Sequence, residues 1–421
     1  MGLNILIYNM LFFLLLLWNQ RNNTNNAVVK YLLFAWLLSS AFSIMFYVDD
    51  PTKHPDITLI PYLYLQICFL ISIYPIARFN EESLADITVA RPKWLLYLMV
   101  LLSVVSILPF IENLIHLLFA YSKDNSDILF DMYIDKMSND VDVQLVTWLS
   151  YPGKLCNAVT LRFEYLTPLL LFYYLTQEKI NKYLLTGLIL ALFNPVVHGF
   201  SVASRGAMVL LALNLIFLFI LFRKQIPYKR RKKILITGSI LFFLGLISLS
   251  VLTIVRFKGH EIQNTMLSFV SLYIGEGSVN FSNLMWDNLR EHTQGDNSFS
   301  FFKQILGFDT FSNYLDRREY WGEGKVGIPV HIFYTYIGDW FSDLGVIGTL
   351  SLVIFLSVLV RKITKVNDSI SLLSLYGFMI FCNIILQGFT YFTMKTNISG
   401  VMFGMLVVFL ISYDFNKLRE E

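Results

Sequence analysis

Long apolar runs without charged residues recur along almost the whole chain, and they constrain its fold more than any other feature. A bilayer core is crossed by about 20 apolar residues in an α-helix, and these runs hold about 16 to 26 residues. Only 15% of the residues are charged and 56% are hydrophobic, whereas soluble domains average roughly 25% charged residues. The sequence therefore predicts an all-α polytopic integral membrane protein. It excludes a soluble enzyme, a secreted disulfide scaffold and a disordered protein.

The apolar runs predict about eleven transmembrane helices in a single transmembrane domain, residues 1–421. The predicted spans are 3–18, 28–48, 57–77, 94–119, 157–175, 183–200, 206–222, 234–254, 344–360, 369–389 and 397–413. One long polar segment, residues 256–343, interrupts them and is predicted to be partly helical.

The distribution of basic residues predicts which way the helices cross the membrane. From residue 19 onward every second connection is basic, and the connections between them are acidic or neutral. The connection RKQIPYKRRKK, at 223–233, holds seven basic residues and no acidic one. Because Lys and Arg accumulate in cytoplasmic loops, the N-terminus is predicted outside and the C-terminus in the cytoplasm. Residues 256–343 then face the outside, and they are called the outer segment below.

This sidedness limits the chemistry that the chain can perform. The predicted cytoplasmic connections are short and contain no glycine-rich motif that would hold nucleotide phosphates. The extracytoplasmic space has no pool of nucleoside triphosphates or nucleotide sugars. Synthetic chemistry in the outer segment therefore needs a substrate that arrives already activated, most simply on a lipid. The net charge of +3 does not indicate a nucleic-acid partner.

Two basic clusters lie at predicted outer membrane boundaries. Arg205 follows a turn of small residues directly before an apolar run, and Arg256 and Lys258 follow the eighth predicted span. Guanidinium groups bind phosphate oxygens in pairs, and the free N–H groups at a helix start also favour an anion. Together the clusters predict a site for a lipid diphosphate. Alternatively, Arg205 only anchors the helix at the membrane interface. Arg162, by contrast, is expected to pair with Glu164.

The outer segment is dense in aromatic residues that alternate with Asn, Asp, Glu and Arg. Flat rings can stack on the apolar faces of pyranoses, while carboxylates and amides bind their hydroxyl groups. Rings such as those of Trp321 and Trp340 can equally fill the core of a small cap or lie among lipid headgroups. For a single aromatic residue the second interpretation is favoured, and the sugar prediction depends on the density of the pattern.

Within the outer segment, His331 is the strongest candidate for a general base. Imidazole accepts a proton near neutral pH, as the activation of a sugar hydroxyl requires, although a structural histidine fits the sequence equally well. Asp339 and Asp343 are four residues apart and would share one helical face. Asp343 is expected to be a solvated carboxylate of the first helical turn, and the role of Asp339 stays open. The spacing of His, Cys and acidic residues indicates no metal site.

Three short motifs resemble the Wzy-type O-antigen polymerases, the family that polymerises oligosaccharide repeat units in bacterial envelopes. They are SRGAMVLL at 204–211, the sequence VRF where the outer segment opens, and YTYIGDWFSDLGVIG at 334–348. The O-antigen ligases, which transfer a glycan to the lipid A core, look similar and also place a histidine at the position of His331. In that family an asparagine follows the histidine, whereas Ile332 follows it here. This difference favours polymerase over ligase.

The resemblance implies a metal-independent glycosyltransferase of the multi-spanning, GT-C-like type that needs no cofactor. It would act at the outer face of the bacterial inner membrane, in O-antigen or surface-polysaccharide biosynthesis. The growing glycan on undecaprenyl diphosphate would move to the non-reducing end of a fresh undecaprenyl-diphosphate-linked repeat unit. Membrane lipids and a chain-length regulator protein are the other partners considered.

The resemblance also suggests roles for individual residues. Arg205, Arg256 and Lys258 would bind the diphosphate leaving group, and His331 would deprotonate the attacking hydroxyl. Further candidates for glycan or phosphate contacts are Arg162, Arg290, Arg317, Arg318, Asp339, Trp321 and Tyr334.

Two other classes of protein remain alternatives. A flippase or other carrier of lipid-linked oligosaccharides should contain two related halves and polar groups near the membrane midplane. This sequence has unequal spans, no detectable repeat and most of its polar residues on one side. A structural or regulatory envelope protein is also compatible, but it leaves the basic residues at the outer boundary unexplained.

Overall fold

A computed structural model describes residues 1–23, 26–122, 148–201, 206–257, 266–311, 314–330, 332–365 and 369–413 of the chain. Within these ranges the chain is mostly α-helical, with very little strand. The α-helices are α1 Gly2–Asn19, α2 Ala27–Asp49, α3 Leu59–Ala77, α4 Pro92–Val105, α5 Ile107–Ser122, α6 Tyr151–Arg162, α7 Leu166–Thr176, α8 Lys182–Ser201, α9 Gly206–Phe222, α10 Tyr228–Phe257, α11 Met266–Asn280, α12 Ser300–Ile305, α13 Tyr314–Tyr320, α14 Glu323–Val326, α15 Thr335–Ile363, α16 Leu372–Gln387 and α17 Ile398–Ser412. Two short strands, β1 (Ile87–Thr88) and β2 (Ile370–Ser371), pair in parallel.

Among the described residues, six helical segments are long and apolar enough to cross a membrane. They are Gly2–Asn19, Ala27–Asp49, Leu59–Ala77, Pro92–Phe119, Lys182–Ser201 and Thr335–Ile363. Shorter apolar helices are Leu166–Thr176, Gly206–Phe222, Leu372–Gln387 and Ile398–Ser412. The predicted class, an all-α protein with transmembrane helices, is therefore supported. The count of eleven spans stays a prediction.

The structure differs from the predicted spans in two places. Residues 157–175 form parts of α6 and α7, which end and begin on either side of Phe163. Two charged residues, Arg162 and Glu164, interrupt the apolar run at this break. The helix that contains the ninth predicted span begins nine residues before it, because α15 starts at Thr335.

The chain divides into two compact units. The first unit comprises Met1–Glu81, Gln263–Asn367 and Gly377–Ile398, and the second comprises Glu82–Ile262, Asp368–Tyr376 and Ser399–Glu421. The single transmembrane domain stays a prediction.

In the first unit, small and hydroxylated residues let α2 and α11 pack closely. Ser39 Oγ donates to the carbonyl oxygen of Ile274 at 2.7 Å, and Ser43 Oγ donates to that of Gly275 at 2.7 Å. A Cβ on Gly275 would lie 2.4 Å from the carbonyl carbon of Phe42, so a larger residue would separate the helices. Such hydroxyl contacts and small residues hold helices together where surrounding lipid gives no hydrophobic driving force.

Helix α15 is fixed at its start by backbone contacts with the chain that follows α16. Thr335 N–H donates to the Thr390 carbonyl at 2.7 Å, and Tyr336 N–H donates to the Gly388 carbonyl at 2.8 Å. The φ of Thr335 is 69°, which is uncommon for a β-branched residue, and its hydroxyl accepts from Gly338 N–H at 3.2 Å. The helix therefore begins from a strained but well-bonded position.

Gly345 interrupts α15 with φ 69° and ψ −173°. The helix has 29 residues, which corresponds to about 44 Å, whereas the bilayer core is about 30 Å thick. Its first turns can therefore lie outside the bilayer. The Tyr64 hydroxyl from α3 donates to the Val346 carbonyl at 2.7 Å, directly after the interruption.

A buried polar network joins three helices of the second unit. Asn194 Nδ2 donates to Asn157 Oδ1 at 2.9 Å and to the Thr160 hydroxyl, while Trp148 Nε1 donates to Asn113 Oδ1 at 3.0 Å. These bonds satisfy polar groups that would be costly in an apolar environment.

Candidate functional site

The first unit contains an open cleft, which has about 540 Å³ of empty space when the adjoining open solvent is counted. It lies where the start of α15, the loop after α11, helix α13 and the chain after α16 meet. We call it the cationic cleft. Its lining residues are Met285, Thr293, Asn297, Arg317, Arg318, Trp321, Val326, Ile328, Val330, Ile332, Tyr334, Asp339, Ser342 and Lys395.

Asp339 is the acidic residue of this lining, and its carboxylate is firmly bound. Oδ1 accepts hydrogen bonds from Asn297 Nδ2 at 2.9 Å and from Lys395 Nζ at 3.1 Å, while Oδ2 accepts from Phe392 N–H at 2.6 Å. Only 5% of the residue is exposed. Asp339 thus fixes Lys395 and Asn297 at the wall of the cleft.

Asp343, one helical turn further, organises the loop that carries Asn297. Its carboxylate accepts from the Thr293 hydroxyl at 2.5 Å and from the N–H groups of Gly295 at 3.0 Å, Asn297 at 3.1 Å and Ser298 at 2.8 Å. The residue is only 3% exposed. The expectation of a solvated carboxylate was therefore wrong, because residues 293–298 fold over Asp343.

Asp296, in the same loop, positions helix α13, which carries Arg317 and Arg318. Its carboxylate accepts from Trp321 Nε1 at 3.0 Å and forms an ion pair with Lys303. Its carbonyl accepts from the Arg317 guanidinium at 3.2 Å. Trp321 is buried, and Lys325 Nζ lies 4.4 Å from its ring centroid. The Trp321 ring therefore supports α13 and closes one side of the cleft.

The charge of the lining is predominantly positive. Three cations, Arg317, Arg318 and Lys395, contribute to it together with the single carboxylate of Asp339. Arg318 is half-buried, and within the described ranges it has neither a hydrogen-bond nor an ion-pair partner. A guanidinium in this situation offers a planar set of donors suited to a carboxylate or phosphate.

The lining also contains apolar side chains. Val326 and Ile328 are buried, and Val330 and Ile332 are half-buried. The Tyr334 hydroxyl donates to the Pro329 carbonyl at 2.7 Å. Val330 and Ile332 are the neighbours of His331 in the sequence, and His331 itself lies outside the described residues.

Glu276 is a buried carboxyl group that is hydrogen-bonded to the backbone of Phe333. It is 7% exposed and lies in α11, which is not among the described apolar helices that could span a membrane. Burial raises the pKa of Glu276 to about 7, although the N–H of Phe333 and the amide of Asn280 donate to it and act in the opposite direction. Asn280 Nδ2 also donates to the Phe333 carbonyl at 3.1 Å. Glu276 and Asn280 together therefore hold the backbone two residues after position 331.

Five residues proposed from sequence as glycan or phosphate contacts line the cationic cleft: Arg317, Arg318, Trp321, Tyr334 and Asp339. Arg290 is exposed and does not line it, and Arg162 lies in the second unit, where its guanidinium donates to the Ser399 hydroxyl. Three further candidates, Arg205, Lys258 and His331, lie outside the described residues. Arg256 lies in the last turn of α10, and its side chain is also outside the described part.

Sequence reasoning missed Lys395, Asn297, Thr293 and Ser342. A signal for Lys395 was present, because it is the one basic residue of a short connection on the predicted outer side. The amide and hydroxyl residues carried no comparable signal, since such residues are common in any loop.

In the described part of the chain, no group of three or more His, Cys, Asp or Glu side chains could hold a metal ion. No protein-family model, curated protein or solved structure matches this chain. Interpretation of the cleft therefore depends on its own geometry and charge.

Proposed function

We propose that the protein is a membrane glycosyltransferase that polymerises lipid-linked oligosaccharide repeat units. The growing glycan leaves undecaprenyl diphosphate and is joined to the non-reducing end of an incoming undecaprenyl-diphosphate-linked repeat unit. The enzyme works at the outer face of a bacterial inner membrane and supplies a surface polysaccharide such as O-antigen.

The single observation that carries the proposal is that five residues predicted from sequence as glycan or phosphate contacts line one cleft. Arg317 and Arg318 supply cationic donors, Thr293, Asn297 and Ser342 supply groups for sugar hydroxyls, and the remaining wall is apolar. Sites for small ligands typically combine an apolar lining with a few convergent polar groups in this way. The residues on both sides of position 331 belong to the same lining.

The proposed reaction requires a base, an activated donor and stabilisation of a leaving group. His331 removes the proton from an acceptor hydroxyl, whose oxygen forms a bond to the anomeric carbon of the donor glycan. The bond between that carbon and the diphosphate oxygen breaks, and the electron pair leaves with undecaprenyl diphosphate. Arg205, Arg256 and Lys258 offset the developing negative charge. The diphosphate is a weak base, so a general acid is not needed.

The finer architecture belongs to the same proposal. Eleven spans with an outside N-terminus and a cytoplasmic C-terminus put the outer segment on the side where lipid-linked glycans are assembled. The excess length of α15 supports this arrangement, because its cleft-lining first turns precede the interruption at Gly345. The arrangement would be that of a GT-C-like enzyme.

The test uses a strain that lacks the gene and is complemented with wild type, Arg205→Ala, His331→Ala or Arg318→Ala at matched membrane abundance. Arg290→Ala is the matched control, because Arg290 is an exposed arginine of the same segment that does not line the cleft. The surface glycan is then separated on a gel. We expect a ladder with wild type and Arg290→Ala, and a single repeat unit on the lipid core in the deletion and with the other variants.

Loss of even the single unit in the deletion would assign the protein to export or ligation instead. A full ladder in the deletion would remove the polymerase function altogether. A full ladder in all three variants with a single unit in the deletion would overturn only the residue roles.

A further inference from the structure

We propose that the cationic cleft binds an acidic sugar, so that the repeat unit handled by this protein carries a carboxylate or phosphate substituent. Arg318 and Lys395 are the residues that bind the oxyanion. The inference rests on the proposed function for the origin of the sugar, and it goes further by naming the substrate class.

The charge balance of the cleft is the first reason. The carboxylate of Asp339 is already paired with Lys395 and receives two further hydrogen bonds, from Asn297 and Phe392. Asp339 is the one acidic residue of the described lining, so the positive charge of Arg318 has no acidic counterpart there. Within a protein cleft, charges of one sign attract a ligand of the opposite sign more strongly than in open water.

Arg318 provides the second reason. Its neighbour Arg317 uses its guanidinium to hold the Asp296 carbonyl, which is a structural role. Arg318 is half-buried and has no such partner among the described residues. A partly desolvated guanidinium without a partner is unfavourable, and an oxyanion ligand would remove this cost with two parallel hydrogen bonds.

Lys395 supplies a second donor at the same cleft. Its side chain is 18% exposed, and its ammonium group donates to Asp339 at 3.1 Å and to Asn297 Oδ1 at 3.3 Å. An ammonium group has three N–H donors, so one remains for a ligand. Asp339 and Asn297 fix the position of the ammonium group, and a ligand would therefore meet a preorganised donor.

The remaining lining favours a sugar over the diphosphate of the lipid carrier, although both present oxyanions. A diphosphate needs mainly cations and N–H groups. This cleft also offers hydroxyl and amide groups from Thr293, Asn297 and Ser342, and an apolar wall that includes Val330 and Ile332. Sugar hydroxyls match the first set and the C–H faces of a pyranose match the second.

Binding to the purified full-length protein in nanodiscs tests the inference without turnover. The probes are a digalacturonate, the neutral digalactose and farnesyl diphosphate, and the variants are Arg318→Gln, Lys395→Arg and the control Arg290→Gln. We expect the digalacturonate to bind at least about tenfold more tightly than digalactose, and Arg318→Gln to remove most of this preference. Arg290→Gln should bind like wild type, and Lys395→Arg should retain part of the preference because it keeps the charge.

Equal binding of the acidic and neutral disaccharides would overturn the inference, as would identical binding by Arg318→Gln and Arg290→Gln. Tight binding of farnesyl diphosphate that depends on Arg318, without preference for the digalacturonate, would assign the cleft to the lipid carrier. Only variants that elute as a single folded species in size-exclusion chromatography are compared, so that misfolding is not mistaken for lost binding. Because no transfer reaction is measured, this result and the glycan ladder can fail independently.

Discussion

Lys395 and Asp339 form an ion pair of 3.1 Å across 56 residues of sequence, and both side chains line the cationic cleft. The pair joins the start of α15 to the short connection before α17. The sequence does not predict that these two stretches are in contact. Asn297 donates to the same Asp339 oxygen, so a third stretch is fixed at this point. The Asp339 carboxylate therefore joins three stretches of the chain at the cleft.

Removing that carboxylate charge should destabilise the protein. In Asp339→Asn the ammonium group of Lys395 loses its ionic partner in a mostly buried position, which should cost about 2–3 kcal/mol of the free energy of unfolding. Thermal unfolding in detergent measures the change. The double variant Asp339→Asn/Lys395→Met should recover part of the loss, because it removes the unpaired charge as well. Equal stability of Asp339→Asn and wild type would show that the pair does not hold the cleft.

Asp343→Asn should loosen the loop at residues 293–298. The asparagine amide group would face N–H donors that the carboxylate now accepts from, and several hydrogen bonds would be lost at a cost of about 2–4 kcal/mol. Limited proteolysis should show faster cleavage within residues 294–306, and the glycan ladder should weaken. Asp287→Asn is the control, since Asp287 is exposed. Unchanged proteolysis would contradict the organising role of Asp343.

Part of this arrangement could be predicted from the sequence, and the rest could not for physical reasons. Uninterrupted apolar runs determine the class because a bilayer leaves few alternatives to helices. The residues 317, 318, 321, 334 and 339 were found because polar and aromatic side chains are dense around them. The burial of Asp343 could not be expected, since it depends on a loop 45 to 50 residues away in the chain. The expected first-turn position was also wrong, because α15 begins at Thr335 and Asp343 lies about two turns further along the helix.

Glu276 should make stability depend on pH. Its pKa is raised from 4.5 to about 7 by burial, so the folded state binds the proton more tightly than the unfolded state. The contribution of Glu276 is therefore greatest below pH 4.5 and is lost as the pH rises to about 7, by on the order of 3 kcal/mol. Glu276→Gln should remove this dependence, so its stability relative to wild type should increase across that interval. Glu291→Gln, at an exposed position, should leave the pH profile unchanged, and a wild-type profile in Glu276→Gln would refute the assignment.

Gly345→Ala should destabilise α15 at its interruption. The φ of 69° and ψ of −173° are strained for any residue with a Cβ, and the added carbon would lie 3.0 Å from His292 Nε2. A cost of about 1–3 kcal/mol is expected in thermal unfolding. At Gly324 an added Cβ would meet no atom within 4 Å, so Gly324→Ala should be neutral or slightly stabilising. Similar unfolding temperatures for the two variants would show that the interruption at Gly345 is not required.

Reconstituted polymerisation tests the central claim most directly. The purified wild-type protein in proteoliposomes is supplied with undecaprenyl-diphosphate-linked repeat units from a strain that lacks the gene, and glycan length and released undecaprenyl diphosphate are measured. The account predicts glycans of two or more units, with one undecaprenyl diphosphate released for each new linkage. It also predicts a normal product with Arg290→Gln and strongly reduced product with Arg318→Gln. Repeat units that stay single with wild type, under conditions where the protein binds them, would contradict it.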